Sequence, residues 1–233
     1  MDVVYVVRPG DDNEELRFSL RALAAHVPHD SVILVGYCPS WVTGVHHIPV
    51  RQTGTKYRNS TLNLLAACEH PAVDDEFVLF NDDMFAMAPV DEVPVLHRGP
   101  VVDVAAEYSA RGAGRYLHGM LETAALLAAR GVASPLSYEL HVPLPVHKDA
   151  MAEALHIGLD SGIAVVHKRT LYGNLAGIGG ELAADVKVCR GRPDWDPQQV
   201  WLSTSDTEFA SWPVGAFIRS AFPAPGPYER SGG

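Results

Sequence analysis

The stretch that most constrains the fold of this chain is residues 56–85, KYRNSTLNLLAACEHPAVDDEFVLFNDDMF. Its pattern predicts an amphipathic helix over Ser60–Glu69, followed by a short apolar strand over Glu76–Phe80. Two acids, Asp82 and Asp83, come where the strand ends. Open α/β sheets bind ligands beyond the carboxyl ends of their strands, so the sequence predicts a ligand site at such an edge.

The residues before this stretch predict the same fold class. Asp2–Val7 and Ser31–Gly36 are apolar runs typical of buried strands, and Asn13–His26 between them carries leucines at helical spacing. His46–Val50 predicts a third short strand. A strand, a helix and a strand in this order are typical of a parallel sheet, so we expect an α/β fold with one domain over residues 1–233.

The second half of the chain is less regular. Alternation over Val101–Glu107 predicts a strand, and apolar residues at helical spacing over Gly114–Arg130 predict a helix. Gly162–Val166 predicts another strand, and Asp185–Cys189 predicts an edge strand. Asp206–Ala221 predicts a final helix that is interrupted near its proline.

Composition excludes several other classes of protein. Hydrophobic residues make up 47% and charged residues 20%, which is ordinary for a globular domain. No apolar run has the length of a membrane span, and the early acidic N-terminus is unlike a signal peptide, so we expect a cytoplasmic protein. Cys38, Cys68 and Cys189 are too far apart for a zinc pattern. The net charge of −10 disfavours a general nucleic-acid coat, although it leaves a local basic groove open.

The acids at the strand end predict a metal site. Asp82 and Asp83 lie between apolar segments, where adjacent carboxylates repel and need a counter-ion. Mn²⁺ or Mg²⁺ that also holds substrate phosphates would supply it, with Asp83 and Asp82 as ligands and Asp82 also near the donor. The alternative is a solvated turn, because Asn and Asp are common turn residues.

Five more residues are candidates for donor binding. Arg8 and Asp11 follow the first strand, so a parallel sheet places them at the same edge. Arg58 and Asn59 lie at a predicted helix start, which suits phosphate. Arg17 lies one helical turn before another arginine, where it lines the donor pocket or is simply an exposed helix residue.

Two residues are candidates for catalysis. His141 lies in an extended, proline-bounded segment and is suited to remove a proton from an acceptor hydroxyl near neutral pH. Asp160 precedes a predicted strand and could orient the acceptor or take its proton. His147 and His167 are rivals to His141, and a structural role is the commoner one for any single histidine.

These motifs resemble those of nucleotide-sugar glycosyltransferases of the GT-A fold. The resemblance rests on Val3–Arg8, on Arg58-Asn59 and on Asn81-Asp82-Asp83, which is similar to a DxD metal motif. It implies a GT-A-like, Rossmann-like domain with a mixed, mostly parallel sheet flanked by helices. It also implies a nucleotide-sugar donor, most often a UDP-sugar, and a divalent metal. Residues 1–100 would bind the donor, residues 101–222 would form the acceptor side, and residues 223–233 would be an extended tail.

Scattered segments also resemble the Stealth family of sugar-phosphate transferases. They are DVVYVVRPGDDNEELRFSLRAL, PSWVTGVHHIPVRQ, RNSTLNLL, FVLFNDDMF, LHVPLPVHKDAM and SDTEFASWPVGAFIRSAFPAPGPYE. The chain departs from that family at Arg8-Pro9-Gly10, where an aromatic and Asn-Gly character is usual, and at Ser205-Asp206, where Asn-Asp is usual. The resemblance therefore leaves open whether a sugar or a sugar 1-phosphate is transferred.

The sequence thus predicts a metal-dependent glycosyltransferase that moves a sugar from a nucleotide sugar to an acceptor hydroxyl. The acceptor is either a glycan or a hydroxymethylated base of DNA, as in phage-type modification within a host cytoplasm. A Stealth-type sugar-1-phosphate transferase acting on a glycan is one alternative. A catalytically inactive module that binds nucleotide sugars is the other.

Overall fold

The computed structural model describes residues 1–10, 12–110, 112 and 114–230. Its strands are β1 (Asp2–Val7), β2 (Ser31–Gly36), β3 (His46–Pro49), β4 (Glu76–Phe80), β5 (Met84–Ala86), β6 (Leu96–His97), β7 (Leu144–His147), β8 (Glu181–Leu182) and β9 (Trp201–Ser203). Its helices are α1 (Glu14–His26), α2 (Lys56–Glu69), α3 (Val101–Ala110), α4 (Arg115–Ala129), α5 (Lys148–Asp160), α6 (Lys168–Leu175), α7 (Asp206–Ser211) and α8 (Pro213–Ala221).

The central sheet has five strands in the order β3-β2-β1-β4-β7. β1 pairs in parallel with β2 and β4, β2 pairs in parallel with β3, and β7 runs antiparallel to β4. The predicted mixed, mostly parallel sheet is therefore confirmed. The chain winds outward from β1 to β3 and then returns to the other side of β1, which opens a crevice beyond the carboxyl ends of β1 and β4.

Both faces of this sheet are buried, as expected for parallel strands. On one face, Val3 and Tyr5 pack in a cluster with the leucines of α1. On the other, Val4 and Leu79 pack with α2, α5 and α6, whose apolar residues include Leu64. The rigid sheet therefore fixes the positions of the residues that follow β1 and β4.

A third apolar cluster holds the end of the chain beside α1. Phe85 of β5 stacks on Phe209 of α7 with ring centroids 5.7 Å apart, and Phe18 of α1 lies against the same ring. The predicted interruption of the last helix is confirmed, because α7 ends at Ser211 and Pro213 occupies the first turn of α8, where its missing N–H costs nothing. This packing brings α7 to the crevice.

Three predicted strands of the second half are wrong. Val101–Glu107 belongs to helix α3, because Val101, Val104 and Ala105 bury one helical face. Gly162–Val166 forms no strand. Asp185–Cys189 makes only isolated bridges, one of them between Lys187 and Ser203. No helix in the described ranges combines the length and the apolar character needed to cross a membrane.

Candidate functional site

A polar cleft of about 410 Å³ lies beyond the carboxyl ends of β1 and β4. Arg8 and Asp82 form its edge, where the two strands stop. The opposite wall is the first turns of α2 together with the start of α6, and it contributes Lys56, Asn59, Ser60, Asn63 and Lys168. The crevice predicted from strand order is therefore a real cavity, and we call it the polar cleft.

The polar cleft presents cations and one amide oxygen that lacks a hydrogen-bond partner among the described residues. Lys168 Nζ donates a hydrogen bond to Ser60 Oγ at 3.0 Å, and burial lowers the pKa of Lys168. Asn63 is fully buried, and its Oδ1 has no hydrogen-bond partner among the described residues. Gly36, at φ +103°, leaves room for this amide, since a Cβ there would lie 2.3 Å from Asn63 Nδ2. An ammonium group and an unsatisfied buried amide suit a ligand with both phosphate and a polar ring.

The two acids at the end of β4 have unequal surroundings. Burial and the neighbouring Asp83 raise the pKa of Asp82 to about 7, while Arg8 opposes the shift. Asp83 Oδ2 accepts a hydrogen bond from Lys187 Nζ at 2.7 Å. Asp83 Oδ1 is buried and finds no partner in the part of the chain that is described. The pair therefore holds negative charge that Lys187 and Arg8 neutralise only in part.

A second, acidic cleft of about 440 Å³ lies on the other side of the same edge. Arg8 and Asp82 border both cavities, and this one adds Asp12, Glu14, Glu15 and Asp206. Arg8 Nη2 lies 2.5 Å from Asp206 Oδ2 in an exposed ion pair. Such pairs contribute about 1 kcal/mol or less, so a ligand phosphate can readily compete for Arg8.

Glu15 in the acidic cleft has a carboxyl group whose surroundings disfavour ionisation. Its Oε1 accepts a hydrogen bond from Thr204 Oγ1 at 2.6 Å. Burial, with the added repulsion of Asp83 and Asp82, raises the pKa of Glu15 to about 9 despite that hydrogen bond. Burial, aided by repulsion from the neighbouring carboxylates, therefore disfavours the charged form of Glu15.

The donor set fits a metal that is shared with a ligand. Within residues 1–10, 12–110, 112 and 114–230, no three His, Cys, Asp or Glu side chains converge to hold a metal by themselves. Asp82 and Asp83 nevertheless offer the incompletely neutralised carboxylates described above. Mg²⁺ and similar ions commonly take one or two carboxylates and complete their shell with substrate phosphates and water.

His141 is held by a carboxylate that sequence reasoning missed. Asp185 Oδ1 accepts hydrogen bonds from the backbone N of His141 at 3.1 Å and from its Nδ1 at 2.9 Å. Asp185 Oδ2 accepts from Arg192 Nη2 at 2.7 Å, and Arg98 Nη1 lies 3.9 Å away. The Asp185 side chain has no solvent exposure, whereas that of His141 is 23% exposed. Hydrogen bonds from His141 and Arg192 outweigh burial and hold the pKa of Asp185 well below its usual range.

Two connections tie His141 to the acids of β4. The buried guanidinium of Arg169 donates to the carbonyl oxygens of Leu140 at 2.8 Å and Val142 at 2.6 Å, and it also contacts the carbonyl oxygen of Leu79 in β4. Asp185 and Lys187, the partners of His141 and Asp83, are two residues apart, which spans at most about 7 Å. His141 is therefore connected to the acids through these neighbours, although it lines neither cleft.

The other catalytic candidates lie elsewhere. Asp160 is exposed at the end of α5 and, like His141, lines neither cleft. His147 is 64% exposed and pairs with Glu76. His167 is buried with Nε2 3.0 Å from the carbonyl oxygen of Tyr116, and burial lowers the pKa of His167.

Of the donor-binding candidates, the structure brings Arg8, Asn59 and Asp82 together in the polar cleft. Arg17 instead donates to Glu229 Oε2 at 2.8 Å and lies over Trp41. Arg58 is exposed and borders a different cavity, of about 250 Å³. Asp11 lies outside the described residues.

Comparison with known structures shows the GT-A glycosyltransferase fold. A structure of the galactosyltransferase LgtC in complex with donor and acceptor sugar analogs matches with a TM-score of 0.55 and 11% sequence identity, covering 95% of each chain. A structure of an active-site mutant of LgtC matches with a TM-score of 0.53 and 12% identity, covering 97% of this chain and 98% of that one. No family model matches the sequence, and no curated protein matches it either. The predicted GT-A fold is thus confirmed, while the resemblance to the Stealth family stays a prediction.

Proposed function

We propose that this protein is a metal-dependent glycosyltransferase that moves a sugar from a nucleotide sugar, a UDP-sugar in the first instance, to a hydroxyl of a glycan. The observation that carries the proposal is the meeting of Arg8 and Asp82 at the crevice between β1 and β4, with Asp83 next to Asp82 in the chain. This crevice is where an open α/β sheet binds its ligand. The GT-A fold of the chain is consistent with the same chemistry.

The polar cleft is the proposed donor site. Its cations, Arg8, Lys56 and Lys168, are positioned to pair with a diphosphate, and Asn59 lies beside them at the start of α2. The unpartnered Oδ1 of Asn63 is available to accept a hydrogen bond from an N–H of the base. Donor and acceptor sugar analogs are bound in the LgtC structure, whose fold this chain shares.

Asp83 and Asp82 would hold the Mn²⁺ or Mg²⁺ together with the donor phosphates. When bound, the ion would neutralise the charge that develops on the leaving phosphate. Arg8 would contribute to the same stabilisation from the end of β1, because its exposed bond to Asp206 is easily exchanged.

His141 is the proposed general base, with Asp160 as the alternative. His141 is partly exposed, and its partner Asp185 lies two residues from Lys187, the partner of Asp83, which supports the choice of His141. Asp160 lies at the exposed end of α5, outside both clefts. Proton removal by a positioned group of this kind contributes about 10²–10⁴-fold to a rate.

Charge favours a glycan over DNA as the acceptor. The acidic cleft beside the proposed donor site carries several carboxyl groups, which would repel a phosphate backbone. Two basic residues of the second half are already engaged: Arg169 with backbone carbonyl groups and Arg192 with Asp185. A neutral polyhydroxylated acceptor meets no such repulsion.

A transfer assay tests this function. The protein is incubated with labelled UDP-sugars and either a panel of glycans or hydroxymethylcytosine DNA, in Mn²⁺ or in EDTA. We expect label in glycans only, and only with metal, and the product mass distinguishes a transferred sugar from a sugar 1-phosphate. Label in the DNA would overturn the choice of acceptor. Metal-dependent UDP binding without any transfer would favour the inactive binding module.

A further inference from the structure

We propose that Asp185 is a positioning residue that holds neutral His141 with its proton on Nδ1, so that Nε2 is free to accept a proton. The catalytic meaning of this arrangement rests on the proposed function. The position of the proton does not, because it is a property of the free protein that can be measured without any substrate.

The geometry determines which nitrogen carries the proton. An ionised carboxylate only accepts hydrogen bonds, so a bond between Asp185 and Nδ1 requires a hydrogen on Nδ1. The backbone N–H of His141 donates to the same oxygen, so one carboxylate fixes both the ring and the main chain of this residue. The tautomer of a histidine is set in this way by the bond that its other nitrogen makes.

The surroundings keep Asp185 in the ionised form. Its carboxylate is excluded from solvent and has Arg192 at 2.7 Å and Arg98 at 3.9 Å. Arg169 of α6 donates hydrogen bonds to the carbonyl oxygens of the two residues on either side of His141. Of the charged groups around His141, Asp185 is the one that bonds the imidazole directly, so its removal changes the surroundings of the ring most.

In the proposed sugar transfer, His141 removes the proton of the acceptor, and no reactant other than donor and acceptor is needed. The proton of the acceptor hydroxyl moves to His141 Nε2, and the acceptor oxygen forms a bond to the anomeric carbon of the donor sugar. The bond from that carbon to the diphosphate breaks, and its electron pair leaves with the nucleoside diphosphate. His141 is then an imidazolium with a hydrogen on each nitrogen, which the Asp185 carboxylate stabilises.

Long-range ¹⁵N–¹H correlation spectra of ¹⁵N-histidine-labelled protein above pH 8 test the proposal directly. A His141→Gln variant identifies the His141 signals among the eleven histidines. We expect the neutral ring to carry its hydrogen on Nδ1 in the wild-type protein. A hydrogen on Nε2 would overturn the proposal, whether or not any variant folds.

Kinetics of Asp185→Asn supply the second test, with Arg192→Gln as the matched control. Both variants disturb the same buried carboxylate, but only the first alters the bond to His141. We expect Asp185→Asn to lower kcat by about 10²–10⁴-fold, to leave the donor Kd within about 3-fold, and to move the acidic limb of the pH–rate profile to lower pH. Arg192→Gln should lower kcat by less than about 10-fold. Equal losses in both variants, with unchanged pH profiles, would make Asp185 merely structural.

These outcomes separate the two proposals. A protein that binds no UDP-sugar and transfers nothing would refute the proposed function, and the spectra would still decide the tautomer. A protein that transfers sugar but carries the hydrogen on Nε2 would refute the role of Asp185 alone.

Discussion

Replacing Lys187 by methionine tests the charge balance of the candidate site. Methionine keeps much of the apolar stem and removes the ammonium that lies 2.7 Å from Asp83 Oδ2. The two side chains are 19% and 15% exposed, so the ion pair is partly buried. An exposed ion pair contributes about 0–1 kcal/mol to stability, and breaking a buried one costs about 3–5 kcal/mol, so the cost here should lie between these limits. We therefore expect Lys187→Met to lower the free energy of unfolding by about 2 kcal/mol in EDTA.

Urea denaturation at pH 7.5, with and without Mn²⁺, measures this effect. Removal of the ammonium frees Asp83, so the variant should bind Mn²⁺ more tightly than the wild type and regain stability, by about 2.7 kcal/mol at 100 times its Kd. The control is the same change in an Asp83→Asn background, where Lys187→Met should cost much less. Equal costs in both backgrounds would show that Lys187 and Asp83 do not stabilise each other. Equal Mn²⁺ responses in variant and wild type would remove Asp83 from the metal site.

Three further predictions concern the same edge of the sheet. Asp83→Asn should abolish transfer and leave the fold intact, whereas retained activity with a raised melting temperature would make Asp83 an ordinary turn residue. Arg8→Ala should weaken UDP binding in calorimetry by about 1.5–3 kcal/mol and Arg8→Lys by less, and a larger loss in Arg58→Ala would assign the phosphate contact to Arg58 instead. Burial raises the pKa of Glu15 to about 9, so its contribution to stability is full below pH 4.5 and falls as pH rises toward 9, by at most about 1.4 kcal/mol per unit. Glu15→Gln should flatten this slope in denaturation curves from pH 5 to 9, and an unchanged slope would show that Glu15 ionises normally.

The first half of the fold could be predicted because its signals are local. Asp2–Val7, Ser31–Gly36 and Glu76–Phe80 are apolar runs between turn residues, and all three are strands with these bounds. The edge strand β7 was not predicted, because its four residues include Pro145, which is tolerated at such an edge. The strand predicted over Val101–Glu107 was wrong because a short apolar pattern fits both the helical and the strand periodicity. Packing against α4 selected the helix.

The candidate site also contains residues that the sequence could locate and residues that it could not. Arg8 and Asp82 could be placed in one cleft because parallel strands end at the same edge. Lys187 and Asp185 could not be found, because their partners lie 104 and 44 residues away in sequence and only the tertiary fold brings them together. Arg17 was misleading for the same reason, since a helix position alone does not reveal its bond to Glu229 in the tail.

Calorimetric titration of UDP into the protein, in Mn²⁺ and then in EDTA, tests the central claim most directly. Asp82 and Asp83 lack a third protein ligand within the described residues, so the account predicts weak binding of Mn²⁺ alone. It predicts that UDP binds at least about 10-fold more tightly with Mn²⁺ than without it, because the ion is shared between the carboxylates and the diphosphate. Equal UDP affinities in Mn²⁺ and EDTA would contradict a metal-assisted donor site.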